Sequence, residues 1–104
     1  MSDFILNNFN EARSTIDKIF EDQTFLENIK RSIDTFTISY QSNGRAFSCG
    51  NGGSTCDSMH FAEELTGRFR KNRSALPAQS ISDPSHLTCV ANDFGYDFVF
   101  SRYL

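Results

Sequence analysis

Phe47-Ser48-Cys49-Gly50-Asn51-Gly52-Gly53-Ser54-Thr55-Cys56-Asp57-Ser58-Met59-His60-Phe61-Ala62-Glu63-Glu64-Leu65 reads as a strand, a glycine-rich turn and a helix. Glycines at 50, 52 and 53 take away the Cβ atoms that would keep a backbone from closing tightly or a ligand from approaching it. The first turn of the helix points its unpaired N–H groups back at that loop. His60 and Glu64 stand four residues apart, so both side chains leave one helix face. This corner is expected to be the working part of the molecule, with the rest of the chain supporting it.

Upstream, Ile5, Phe9, Ala12, Ile16, Ile19 and Phe20 recur at three- and four-residue steps and predict an amphipathic helix over 2–20. Asp22-Gln23 breaks it, and Thr24 with Glu27 has the spacing of a capping box. A second helix over 23–42 carries Phe25, Leu26, Ile29, Ile33, Phe36 and Tyr40. Thr35, Thr37 and Ile38 weaken its last turns, and Ser42-Asn43-Gly44 stops it, with Gly44 suited to the left-handed position after the helix.

Downstream, 45–82 reads as strand, helix, strand. The strand 45–49 enters the turn, and the helix from 54 to about 70 is expected to bury Met59, Ala62, Leu65 and Phe69. A polar exit through Lys71-Asn72-Arg73-Ser74 leads to a second strand over 76–82 with Pro77 at its entrance. Such a unit crosses over right-handed and pairs its strands in parallel. Helical segments fill 85–104: Asp83-Pro84-Ser85 opens one through Leu87, Val90 and Ala91, Asn92-Asp93-Phe94-Gly95 breaks it, and 96–104 begins another. Two parallel strands need further strands, and helices over both faces. The chain is therefore expected to be the first part of a single α/β domain whose polypeptide continues past Leu104.

The 104 residues carry a net charge of −3, with 22% charged residues and 38% hydrophobic ones. That is enough for at most one domain, and it lacks the basic stripe a nucleic-acid surface needs. The start, Met1-Ser2-Asp3-Phe4-Ile5-Leu6-Asn7-Asn8, has neither a basic n-region nor a long apolar run. No signal peptide or membrane span is expected, and the chain reads as cytoplasmic. Cys49, Cys56 and Cys89 are an odd set without C-x-x-C spacing, which argues against a zinc finger or disulfide framework. They are expected to be small packed residues, with Cys56 near a helix N-terminus as the alternative reactive thiol.

Each candidate group has a plainer alternative. The glycine turn lacks the ending of a P-loop and the third glycine of a dinucleotide fingerprint; it is either a tight turn or a polar-ligand loop at a strand's carboxyl end. His60 and Glu64 can ligate a divalent metal, form a surface pair, or leave Glu64 free as a general base. Asn92 and Asp93 are either a helix stop or groups returned to the rim that holds Asn51. Arg68, Arg70, Lys71 and Arg73 form a small basic cluster, solvated or in contact with an anion or subunit. Glu63 is expected to face solvent, and His86 has no assigned role.

Three stretches together are more specific. Ser48-Cys49-Gly50-Asn51-Gly52-Gly53-Ser54, His60-Phe61-Ala62-Glu63-Glu64-Leu65-Thr66-Gly67-Arg68 and Ser82-Asp83-Pro84-Ser85-His86-Leu87-Thr88-Cys89-Val90-Ala91-Asn92-Asp93-Phe94-Gly95 closely resemble the phosphoheptose isomerase family, built on the sugar-isomerase (SIS) domain. The resemblance implies a three-layer α/β sandwich with a parallel sheet flanked by helices, two long N-terminal helices, and a homotetramer. It implies an aldose–ketose isomerase that converts sedoheptulose 7-phosphate to D-glycero-D-manno-heptose 7-phosphate, a precursor for lipopolysaccharide or surface glycans. Carried over by position, Asn51, Gly52, Gly53, Glu64, Asn92 and Asp93 are substrate contacts. His60 and Glu64 are zinc ligands, with Glu64 also the catalytic acid/base. The family's serine-rich phosphate loop, its other zinc ligands and the histidine that partners the glutamate lie beyond Leu104, so this stretch alone is expected to be inactive. The alternative is a non-catalytic SIS-domain protein that binds a sugar phosphate or a protein partner of the replication-initiation type.

Overall fold

A computed structural model describes residues 2–104, in two units that divide between Ile38 and Ser39. The first holds α1 (Ser2–Glu21) and most of α2 (Gln23–Gln41). Asp22 separates them: its amide still donates to the Lys18 carbonyl at 3.1 Å, while its Oδ1 accepts from the Phe25 amide at 2.9 Å. Asp22 is thus the cap of α2. The expected Thr24–Glu27 capping box does not form, because α2 starts at Gln23 and Thr24 is already helical. Thr35 and Thr37 are accommodated because their hydroxyls donate to the Arg31 and Ile33 carbonyls, each at 2.8 Å. The apolar stripes remain open: Phe9 is 72% and Phe20 70% exposed, and α2 buries no residue.

The second unit begins with the last turn of α2. Asn43, with φ of 59°, takes the left-handed position expected of Gly44. Gly44 serves instead by its size: its amide meets the Ser39 carbonyl at 2.7 Å, and a Cβ there would lie 2.8 Å from that oxygen. Then follow β1 (Ala46–Ser48), α3 (Gly53–Thr66), β2 (Ala78–Ser80) and α4 (Pro84–Phe94), with 3₁₀ turns at Tyr96–Phe98 and Ser101–Tyr103. The strands are parallel and pair Ala46 with Ala78, Phe47 with Gln79 and Ser48 with Ser80.

Alternation along these strands makes the layers. Ser48 and Ser80 face α3 and hydrogen bond to Ser58. Phe47 and Gln79 face the other way: Phe47 meets the Tyr103 ring edge-on at 6.2 Å, and the Gln79 amide donates to the Tyr103 hydroxyl. His86 of α4 meets the same ring at 4.9 Å and donates from Nε2 to the Val99 carbonyl at 2.8 Å. Helical structure therefore lies on both faces of the sheet. The unit is the α/β sandwich expected, and Ala46, Ala62, Ile81, Val90 and Val99 are its buried apolar residues.

Several boundaries and facings differ from expectation. α3 ends at Thr66 rather than near residue 70, because the backbone leaves the helical region at Gly67, with φ −85° and ψ −113°. Its sheet-facing stripe is Thr55, Ser58, Ala62 and Leu65, whereas Met59 and Phe69 are exposed; small residues on that face let the helix approach the strands closely. α4 runs through Asn92 and Asp93 and stops only at Gly95, with φ of 99°. Residues 96–104 form 3₁₀ turns instead of a helix, since the Val99 carbonyl is taken by His86 and Tyr103 is drawn onto the sheet. The three thiols are free and exposed, not packed.

Candidate functional site

The glycine turn leaves the carboxyl end of β1, where the Ser48 carbonyl accepts from the Ile81 amide at 2.8 Å. Two of its glycines are required for different reasons. A Cβ on Gly50 would lie 2.5 Å from the Ser54 carbonyl oxygen, so the turn closes only over bare backbone. Gly52 sits at φ 57°, ψ −128°, a region essentially closed to other residues. Gly53 is different: nothing lies within 4 Å of where its Cβ would be. No neighbour in the fold needs that glycine, which leaves open space against the first turn of α3. Ser54 and Thr55 donate their amides to the Asn51 and Gly52 carbonyls, each at 3.1 Å, and Asn51 stands exposed at the rim.

About two and three turns along α3, His60 and Glu64 meet: imidazole Nε2 lies 2.9 Å from carboxylate Oε1, with side-chain exposures of 71% and 32%. The expectation of a shared face holds. Asp57, His60, Phe61, Glu64 and Phe69 line an open groove of about 290 Å³ on this side of the helix. Ligand atoms of His60, Glu63 and Glu64 lie within 4.8 Å of one another, although Glu63 is exposed as expected. An imidazole nitrogen and a carboxylate oxygen already in contact are a donor pair that zinc or a similar divalent ion accepts, at about 2.0–2.2 Å from each. The pair fits a metal; it supplies two of the three or four ligands that zinc takes.

Asn92 and Asp93 lie on the last turn of α4, both exposed. Asn92 donates to Asp93 at 3.0 Å, and the Cys89 thiol donates to the same carboxylate at 3.5 Å. That contact and the carboxylate's charge push the Cys89 thiol pKa up. Among the described residues, neither Asn92 nor Asp93 hydrogen bonds to the glycine turn or to the His60–Glu64 pair.

Two features of the site were not anticipated. Arg73, placed in a basic surface cluster by its sequence, wraps the end of α3: its guanidinium donates to the carbonyls of Glu64 at 2.7 Å, Leu65 at 2.9 Å and Ser74 at 2.9 Å. Burial raises the pKa of the nearby Tyr40 hydroxyl above the ordinary tyrosine value, and the Arg73 charge offsets part of that rise. Beneath the turn, Ser58 is buried and bonded to Ser80 at 2.7 Å. The signal for this was present in the sequence, since Ser48 and Ser80 each end a strand of the same crossover unit.

The family model described as the SIS domain matches residues 8–103. The chain belongs to the SIS domain family. Among curated proteins, it is similar to the phosphoheptose isomerase of Cytophaga hutchinsonii, with 55% identity over 96% of this chain and 52% of the relative. It is similar also to that of Edwardsiella ictaluri, with 53% identity over 98% of this chain and 53% of the relative. Two solved structures share the fold. One is the phosphoheptose isomerase of Neisseria gonorrhoeae, with TM-score 0.79, 29% identity, and coverage of 98% of this chain and 52% of that one. The other is from Francisella tularensis, with TM-score 0.81, 26% identity, and coverage of 99% and 54%. The chain spans about half the length of the curated relatives it matches. In this SIS domain the glycine turn and the His60–Glu64 helix both follow β1, the position where open parallel sheets bind ligands.

Proposed function

We propose that this SIS domain contributes to an aldose–ketose isomerase that converts sedoheptulose 7-phosphate to D-glycero-D-manno-heptose 7-phosphate, for lipopolysaccharide or surface-glycan precursors. The relatives named phosphoheptose isomerase support the activity. The observation that carries it is the 2.9 Å approach of His60 to Glu64, on the helix that begins at the open glycine turn. A binding module has no need of a carboxylate so placed.

The reaction moves a proton from C1 of the ketose to C2 through an enediol, while the hydroxyl proton passes from O1 to O2. Glu64 takes the proton from carbon and returns it to the neighbouring carbon. His60, in contact with that carboxylate, holds it in orientation. Asn51, with the open backbone at Gly52 and Gly53, binds the sugar, and Asn92 and Asp93 add contacts. His60 and Glu64 are the residues of this chain that would hold zinc, which when bound supplies positive charge beside the developing oxyanion. The pair supplies two of the three or four ligands that zinc takes.

The exposed apolar stripes of α1 and α2 support a homotetramer in which helices pack between copies. No described helix is long and apolar enough to cross a membrane, and we place the enzyme in the cytoplasm. The test is an isomerase assay on the full-length protein with sedoheptulose 7-phosphate, together with metal analysis. Conversion with zinc bound supports the reading, and absence of turnover in metal-replete protein contradicts it.

A further inference from the structure

Ser58 is 5% exposed and lies where α3 crosses the carboxyl ends of both strands. Its hydroxyl donates to the Thr55 carbonyl at 2.8 Å. With its one proton used there, the 2.7 Å contact to Ser80 has Ser80 as the donor. Thr55 in turn donates its hydroxyl to the Gly50 carbonyl at 2.5 Å, and Ser48 donates to the Ser58 carbonyl at 2.7 Å. The Ser80, Ser58 and Thr55 bonds lead from β2 through the first turn of α3 to the backbone that opens the glycine turn, and the Ser48 bond ties β1 to the same helix.

We propose that Ser58 is a positioning residue: through the relay Ser80–Ser58–Thr55–Gly50 it fixes the glycine turn, and with it Asn51, against the sheet. The physical ground is the asymmetry of buried hydrogen bonds. Removing the buried Ser58 hydroxyl leaves the partly buried Ser80 hydroxyl and the Thr55 carbonyl each short of one bond within the fold, which costs more than the bond itself contributes. The strain is relieved where the chain is least constrained. Gly50, Gly52 and Gly53 carry no Cβ, so this stretch of backbone adapts most readily once its anchor at the Gly50 carbonyl is loosened. The turn is therefore the part that loosens.

The kinetic arm of the test rests on the isomerase reading, and the exchange arm does not. In full-length protein, Ser58→Ala should speed amide hydrogen exchange over residues 51–56 about tenfold and raise KM for sedoheptulose 7-phosphate about tenfold, with a smaller effect on kcat. Adding Ser80→Ala to Ser58→Ala should change little further, since Ser80 acts through Ser58. Val99→Ala, buried on the opposite face, is the control for lost stability. It should lower Tm without moving exchange at 51–56 or KM. If Ser58→Ala exchanges at 51–56 no faster than Val99→Ala, or if the two serine substitutions add fully, the positioning role is wrong. If the wild-type protein turns over no substrate, the isomerase reading fails and the exchange arm alone decides the role of Ser58.

Discussion

The guanidinium of Arg73 donates to the main-chain carbonyl of Glu64 at 2.7 Å, nine residues back along the chain. It satisfies a carbonyl that the end of a helix would otherwise leave open, adds a 2.9 Å bond to the Leu65 carbonyl, which also accepts from the Leu76 amide at 3.0 Å, and places a cation at the negative end of the helix dipole. The helix that carries the candidate base is thereby closed by a side chain from the following loop.

Arg73→Ala should therefore destabilise the protein by about 1–2 kcal/mol, measured by denaturant unfolding of the full-length protein. Arg73→Lys keeps the charge and loses the planar fork, so it should fall between the two. An alanine variant as stable as wild type would show that the loop does not hold α3.

The three glycines of the turn should separate cleanly. Gly50→Ala sets a Cβ against the Ser54 carbonyl and should cost several kcal/mol, on the order of an overpacked core site. Gly52→Ala forces a side chain into φ 57°, ψ −128°, at about 1–3 kcal/mol. Gly53→Ala meets open space and should leave unfolding nearly unchanged while weakening sugar-phosphate binding. Loss of stability in the Gly53 variant would contradict a ligand-facing role for that position.

Asp83 caps α4, accepting from the Ser85 and His86 amides, each at 3.3 Å, and from the Ser85 hydroxyl at 3.0 Å. The Ser85 hydrogen bonds, hydroxyl first, hold its pKa below the ordinary aspartate value. A depressed folded-state pKa means the contribution is complete above the unfolded value, near 3.9, and is lost as pH falls through the lowered folded value. Stability of wild type should thus decline below about pH 4 more steeply than that of Asp83→Asn, which keeps a capping side chain but does not titrate. Identical pH profiles from thermal melts would rule out this cap as a source of acid sensitivity.

Cys89 donates its thiol to Asp93, and the carboxylate raises the thiol's pKa. Asp93→Asn should therefore speed alkylation of Cys89 at neutral pH, because more of it becomes thiolate. Mass-resolved iodoacetamide labelling would show this, and an unchanged rate at Cys89 would contradict the contact.

The turn, the parallel crossover and the shared face of His60 and Glu64 were legible because each rests on local spacing. Glycine clusters, strand–helix–strand lengths and an i, i+4 step need no long-range partner to be interpreted. The facing of α3 was legible only in part: Ala62 and Leu65 face the sheet as expected, whereas Met59 and Phe69 do not. Met59 and Phe69 look like core by hydrophobicity, yet the helix turns Ser58 and Ala62 to the sheet, since close approach favours small side chains whose hydroxyls find partners. Arg73 and His86 were silent for the same reason: each bonds to a carbonyl distant in sequence, Glu64 and Val99. The end of α4 was legible to within the stretch Asn92-Asp93-Phe94-Gly95, where Gly95, at φ of 99°, is the residue that stops the helix.

The central claim is that Glu64, held beside His60, is the base of a sugar-phosphate isomerase. The most direct measurement is kcat for sedoheptulose 7-phosphate in full-length Glu64→Gln, with sugar-phosphate affinity determined alongside. A fall of roughly 10²–10⁴-fold in kcat with the fold and substrate binding retained is the result expected. Turnover near the wild-type rate would contradict it.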